Sequence, residues 1–201
     1  MRRLYPIEAK TRPRSISPRH HPRPSLASGR SALGHNDPMN PHEEDAFQDH
    51  YAEDVAHCYG CGRLNPRGYR LKTHWEGEET VTRFTPAPHH TAIPRYVYGG
   101  LIASLVDCHG TGTAAAAAAR AGGPDAASVD RPAELPRFVT ASLRVDYLRP
   151  TPLGPELEVR GRALEVTARK VVVEARVLAK GEVTARGVVV AVPMPEEMAA
   201  R

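Results

Sequence analysis

The sequence predicts an α+β fold in which one long apolar helix lies against a mostly antiparallel sheet of about six strands. Three observations carry that expectation. Residues 99–120 read as one helix, opened by Gly99-Gly100 and closed before Gly122-Gly123-Pro124. Two alternating segments precede it and four follow it. Strands and helix come in segregated runs, which excludes an alternating βαβ chain.

The first strand is expected over 69–75, where Tyr69, Leu71, Thr73 and Trp75 alternate with Arg70, Lys72 and His74. Gly77 marks a turn into a hairpin partner at Glu79–Phe84, closed by Pro86 and Pro88. Within the helix, Ala114–Ala119 combines high helix propensity with almost no side-chain bulk. Residues 121–136 read as a loop. The next strand, 139–147, places Val139, Ala141, Leu143, Val145 and Tyr147 on one face and Thr140, Ser142, Arg144 and Asp146 on the other. Leu157–Val166 changes its apolar phase after Gly161, which predicts a bulge or bend there. Segments 171–178 and 183–192 complete a hairpin about Lys180-Gly181.

Charge divides the chain differently. The formal charge is +4, yet residues 1–38 hold eight Lys/Arg against Glu8 and Asp37, leaving 19 basic and 21 acidic groups for the rest. With six prolines and few large apolar groups, this basic segment is expected to be disordered, as part of a tail over 1–45. Met39 offers an alternative translation start. The folded domain is expected over 46–195, opening with a short acidic helix within 40–57, and a short tail over 196–201. The near-neutral domain shows no helix-turn-helix, and the tail has no interleaved aromatics, so no nucleic-acid partner is expected. No run approaches a membrane span, and three cysteines make no disulfide framework. A soluble cytoplasmic protein is the expectation.

The chemistry is expected on the helix. On a wheel of 3.6 residues per turn, Gly100, Ala103, Ser104, Gly110, Thr111 and Ala114 fall within about 60° of Asp107. Leu101, Ile102, Leu105, Val106, Cys108 and Thr113 cover the other sides, with His109 nearly opposite. A solvated surface carboxylate is the plain alternative for Asp107. The small neighbours favour the functional one, because they leave room above it for another molecule, and the Thr111 hydroxyl lies one turn on. Gly99-Gly100 exposes backbone N–H groups at the positive end of the helix dipole, where an oxyanion can be held. His109, on the far side, is expected to be a satisfied core or interface residue.

Three strings then carry a resemblance: C-Y-G-C-G-x-x-N-P-x-G at 58–68, V-Y-G-G-L-I-A-S-L-V-D at 97–107 and A-S-L-R-V-D-Y-L-R-P-T-P-L-G at 141–154. Together they resemble the phenylacetyl-CoA-type hotdog thioesterases of the 4-hydroxybenzoyl-CoA thioesterase superfamily. The resemblance implies an acyl-CoA thioesterase with a hotdog fold, working as a homodimer or homotetramer. Coenzyme A would be part of the substrate, with no separate cofactor. It implies that the Gly99 N–H polarises the thioester carbonyl, that Asp107 acts as general base or nucleophile, and that Thr111 helps to hold water. Tyr98, Gly100 and Ser104 would line the substrate, and Arg149, Arg169 and Lys170 are the candidates for the coenzyme A phosphates.

Two positions depart from the family pattern. Its helix-opening His is Tyr98 here, and its upstream polar residue falls near Ala92, with His89 and His90 in the same loop. These departures keep open a second reading, a module that binds acyl-CoA or an acyl carrier without turnover. Cys58-x-x-Cys61 is one cysteine pair without a second, and His57 and His74 are weak additions, so no metal site is expected.

Overall fold

The structure, a computed structural model, describes residues 46–122 and 135–198. The expected tail over 1–45, most of the loop over 121–136, and residues 199–201 lie outside the described residues. Two short 3-10 turns, Phe47–His50 and Glu53–Val55, stand where an acidic helix was expected. They are followed by β1 (Thr73–Glu76), β2 (Glu79–Phe84), β3 (Thr91–Ile93) and β4 (Tyr96–Val97). The helix α1 (Gly99–Ala121) leads to β5 (Phe138–Tyr147), β6 (Leu157–Val166), β7 (Val171–Ala179) and β8 (Glu182–Pro193). A last 3-10 turn spans Glu196–Met198.

Six strands form one sheet in the order β1-β2-β6-β7-β8-β5, and every pairing is antiparallel. The helix packs on β5, β6, β7 and β8, so the sheet wraps it as the hotdog resemblance implied. The short pair β3–β4, not expected from the sequence, stands apart just before the helix. Leu101, Leu105 and Val106 from the helix meet Leu157, Val159, Val171, Val173, Val177 and Val189 in one apolar core. Ala114, Ala115, Ala116 and Ala117 are buried as well, because side chains without bulk let the sheet close over the helix. Strand β7 alternates buried and half-buried residues along its length, the period-2 pattern of a strand with one core face. Its turn into β8 places Lys180 and Gly181 both at positive φ, 52° and 79°, a conformation that glycine adopts without strain.

Three expectations need correction. Strand β1 starts at Thr73, not at residue 69, because Arg70 takes a left-handed φ of 53° that breaks the extended run. In β5 the register shifts between Thr140 and Ser142, a bulge the alternating sequence does not signal. Phe138 and Thr140 therefore face the helix, whereas Val139 and Ala141 of the expected core face turn away from it. Beyond the bulge Leu143, opposite the buried Val189, lies on the helix side with Val145 and Tyr147, as the alternation implied.

The third correction concerns Gly161. Pairing with β7 runs through it without interruption, pairing with β2 ends on it, and the irregularity of β6 lies between Ala163 and Glu165. Gly161 serves a different purpose. A Cβ there would sit 2.5 Å from Nε2 of the buried His109 ring and 3.1 Å from the Glu174 carbonyl oxygen. Gly161→Ala should therefore lower the unfolding free energy by about 1–3 kcal/mol, the range for an overpacked core. Urea denaturation checks this, and an unchanged midpoint would mean that the imidazole moves aside without penalty.

Candidate active site

Asp107 lies in the N-terminal half of the helix, half-buried, on the stripe it shares with Gly100, Ala103 and Ser104. Those three remain open or half-open, whereas Gly110, Thr111 and Ala114 further along the same stripe are covered. A Cβ at Gly110 would come within 2.5 Å of Val189 on β8. The small niche read from the wheel is therefore limited to the first two turns.

The group that holds Asp107 is Thr140. Its hydroxyl donates to Asp107 Oδ1 at 2.5 Å, the short end of the range for a hydroxyl on a carboxylate. The β5 bulge is what aims it there. Thr111, expected to help hold water, donates to the backbone carbonyls of Asp107 and Cys108, both at 3.2 Å. Ser104 likewise donates to the Gly100 carbonyl at 2.9 Å. Both hydroxyls satisfy their own helix, a common fate for Ser and Thr inside a helix.

At the helix start, Tyr98 occupies the N-cap in extended conformation and the first N–H groups have no carbonyl four residues back. The Tyr98 ring lies over Gly100, where a Cβ would approach to 2.4 Å. Its hydroxyl meets that of Tyr69 at 3.3 Å. Tyr147, at the end of β5, reaches across and donates to the Gly99 carbonyl at 2.9 Å. Sequence reasoning placed Tyr147 on the inward face of its strand without seeing that it would meet the helix start. Tyr59, Tyr69, Phe84 and His90 cluster beside this point with ring centroids 4.9–5.8 Å apart, Tyr69 meeting the other three edge to face. His90 is committed to its loop: Nδ1 accepts from the Ala87 N–H at 3.0 Å, and burial, then the neighbouring His89, lowers its pKa. Ala92 is exposed and supplies no polar side chain.

The two halves of the expected site do not meet within one chain. Gly99 and Asp107 are eight residues apart on one helix, a separation of about 12 Å along its axis. A single carbonyl carbon cannot touch both. Arg149 lies at the helix-start end, where its backbone N–H bonds the Thr184 carbonyl and its side chain pairs with Glu182 at 2.8 Å. Arg169 and Lys170 belong to the β6–β7 turn, with Lys170 paired to Glu165 at 3.0 Å. That turn is level with Thr140, since Val171 and Thr140 both pair with Ala191. The three basic residues therefore stand at two ends of the sheet, roughly 20 Å apart by strand rise. An apolar cleft of about 470 Å³ near the C-terminal end of the helix, between Ala118 and Val166, does not include Asp107.

His109 is fully buried, and its neighbourhood explains why it is absent from the chemistry. Gln48 Nε2 donates to Thr73 Oγ1 at 2.9 Å, Thr73 meets Thr82 at 2.8 Å, and Thr82 meets His109 Nδ1 at 2.9 Å. On the other side His109 Nε2 meets Thr80 Oγ1 at 3.1 Å, and Thr80 donates to the Gly161 carbonyl at 3.2 Å. Thr80 also meets Thr113 Oγ1 at 2.6 Å, so each nitrogen of the neutral ring has a hydroxyl that can donate or accept. Burial, which disfavours the charged ring, pushes the His109 pKa down to about 3.

Cys58 and Cys61 are joined by a third thiol the sequence reading did not connect with them. Cys108, which follows Asp107 in the helix, places its Sγ 3.9 Å from that of Cys58. Hydrogen bonds from the Cys108 thiol, then from Cys61, hold Cys58 far below the ordinary thiol range, and sharing that bond raises Cys108.

Comparison with known proteins identifies the architecture. A thioesterase superfamily model matches residues 95–185. The crystal structure of a thioesterase superfamily protein from Shewanella loihica is 51% identical, with a TM-score of 0.55 over 74% of this chain and 99% of that one. The chain belongs to the thioesterase superfamily. Another thioesterase superfamily protein (22% identity, TM-score 0.53, 73% and 67% covered) shares the fold. So does an uncharacterized protein from Pyrococcus horikoshii (15%, 0.50, 69% and 94%). A search of curated proteins found no match. Among the described residues of this thioesterase superfamily protein, no helix is long and apolar enough to cross a membrane.

Proposed function

We propose that this protein is an acyl-CoA thioesterase whose site forms between copies, with Asp107 of one facing the Gly99 N–H of another. The observation that carries the reading is the half-buried Asp107 carboxylate, held by Thr140 on an open face of small residues in a thioesterase superfamily fold. In the reaction, Asp107 takes a proton from water as the water oxygen bonds to the thioester carbon, and the Gly99 N–H stabilises the oxyanion. Collapse breaks the carbon–sulfur bond, and the departing thiolate takes up a proton to leave a carboxylic acid and free coenzyme A. Direct attack by Asp107, through a mixed anhydride that water then opens, reaches the same products.

Assembly as a homodimer is supported by β5. Among the described residues it is a ten-residue edge strand with one side unpaired, and Leu143, Tyr147 and the following Leu148 are exposed beside it. A long bare edge of this kind is usually covered. If Gly99 of one copy stands beside Asp107 of the next, Arg149 from the first and Arg169 and Lys170 from the second flank one site. Those three are our candidates for the coenzyme A phosphates, and Tyr98, Gly100 and Ser104 for the acyl side.

Release of free thiol from a panel of acyl-CoA esters tests the reading, and tight binding without release would favour the non-catalytic module. Thr140 is a positioning residue in this scheme. Thr140→Val should lower kcat roughly 10- to 100-fold with little change in KM, as expected when a reacting group loses its alignment. Thr140→Ser, which keeps the hydroxyl, should restore most of the rate. Equal rates for the Val and Ser variants would remove Thr140 from the site.

A further inference from the structure

We propose that Cys58, Cys61 and Cys108 form a binding site for a thiophilic divalent cation, zinc in the first instance, that ties the 58–62 turn to the central helix. The proposal does not depend on the thioesterase reaction.

The first observation is the convergence itself. The three Sγ atoms lie within 4.8 Å of one another, although Cys108 stands 50 residues beyond Cys58 on another element. Zinc–sulfur bonds of about 2.3 Å at tetrahedral angles require sulfurs about 3.8 Å apart. The Cys58–Cys108 separation of 3.9 Å already meets that requirement, whereas a disulfide would need the sulfurs to close to about 2 Å.

The second observation is a turn built to present the pair. The Gly62 N–H donates to the Cys58 carbonyl at 2.8 Å, closing the Cys-x-x-Cys segment into one tight turn. A Cβ at Gly60 would lie 2.2 Å from Cys108 Sγ, and one at Gly62 would lie 2.4 Å from the Cys58 nitrogen. Gly60 lets this turn come against the helix, and Gly62 lets the turn close on itself. The adjacent chain is pinned too, with the Tyr69 N–H on the Tyr59 carbonyl and the Leu71 N–H on the Gly60 carbonyl.

The third observation is charge. A zinc ion with three thiolates carries one net negative charge, which is expensive in a buried setting without a partner. Arg137 supplies that partner: its Nη1 and Nη2 both lie 3.9 Å from Cys61 Sγ, and its guanidinium sits 4.5 Å over the ring of the buried Tyr51. The Tyr51 ring holds one face of the guanidinium, which leaves its two terminal nitrogens beside the Cys61 sulfur. Cys58 is partly exposed, so the fourth tetrahedral position opens to a water oxygen.

The test is cobalt(II) titration of the full, reduced chain. One equivalent per chain should produce a thiolate-to-cobalt charge-transfer band and the strong visible bands of a tetrahedral ion, and zinc should displace both. Cys58→Ala, Cys61→Ala and Cys108→Ser should each abolish the charge-transfer band or reduce it severalfold, with circular dichroism confirming that the variants are folded. Should Cys108→Ser not fold, alkylation of the wild-type chain decides. Zinc should protect all three thiols from a maleimide, and a chelator should release all three together. The proposal is overturned by absence of the charge-transfer band, by full intensity in Cys108→Ser, by protection of Cys58 and Cys61 alone, or by a Cys58–Cys108 disulfide that forms in the presence of zinc.

Discussion

Asp107→Asn should reduce the rate of thioester hydrolysis by a factor of about 10²–10⁴ while leaving the fold and ligand affinity nearly unchanged. Asparagine has the shape of aspartate and its amide oxygen can still accept from Thr140, so the packing beside the bulge of β5 is kept. What it lacks is an oxygen able to take a proton from water or to bond to the acyl carbon. Free-thiol release measures the rate, equilibrium dialysis with acyl-CoA measures binding, and thermal unfolding monitors the fold. A rate within twofold of wild type would remove Asp107 from the chemistry.

The same variant tests whether the site is shared. Gly99→Pro removes the proposed oxyanion donor at a first helical position, where proline is generally tolerated, although Tyr147 stands 3.3 Å from any added Cβ. Each variant alone should be inactive. Mixed and allowed to exchange subunits, they should recover about a quarter of wild-type activity, because half of the dimers would combine one intact Asp107 with one intact Gly99. No recovery from folded, exchanging chains would mean that the site is not shared between copies.

The second large effect concerns stability in acid. His109 has a native pKa near 3, against about 6.5 for an unfolded histidine. Below pH 6.5 the unfolded chain therefore binds a proton that the native chain refuses. The stability tied to a neutral His109 is fully present above pH 6.5 and is lost as the pH falls toward 3, by about 1.4 kcal/mol per pH unit. Between pH 7 and pH 4 the loss from this one residue is about 3 kcal/mol. Glu76, whose pKa is lowered by Arg83 and then Arg160, adds to acid lability, but equally in wild type and in a His109 variant. Chemical denaturation of wild type and His109→Gln across this range should show a shallower slope for the variant, whose amide has a donor and an acceptor but no proton to gain. Equal slopes would mean that the buried ring is already charged.

Much of this was legible in the residues because it depends on short-range patterns. Glu79–Phe84 and Leu157–Val166 fall at the bounds their alternation implies, and the helix differs by one residue at its end. Local geometry also separated Asp107 from His109, since a helix fixes the direction of every side chain relative to its neighbours. Thr140 escaped because a bulge is one extra residue in a strand, and the alternation V-T-A-S-L looks the same with or without it. Gly161 was misread for a related reason. A glycine signals that something comes close, and sequence alone does not say whether that is a kinked backbone or, as here, an imidazole from 52 residues upstream.

The sequence by itself determined the one-helix, six-strand architecture and the position of Asp107 on a small-residue face, both set by contacts a few residues apart. The tertiary structure alone decided which hydroxyl holds that carboxylate and that Cys108 joins Cys58 and Cys61. Each of those depends on which strand or turn packs against which turn of the helix, and contacts between residues tens of positions apart leave no periodic trace in the chain.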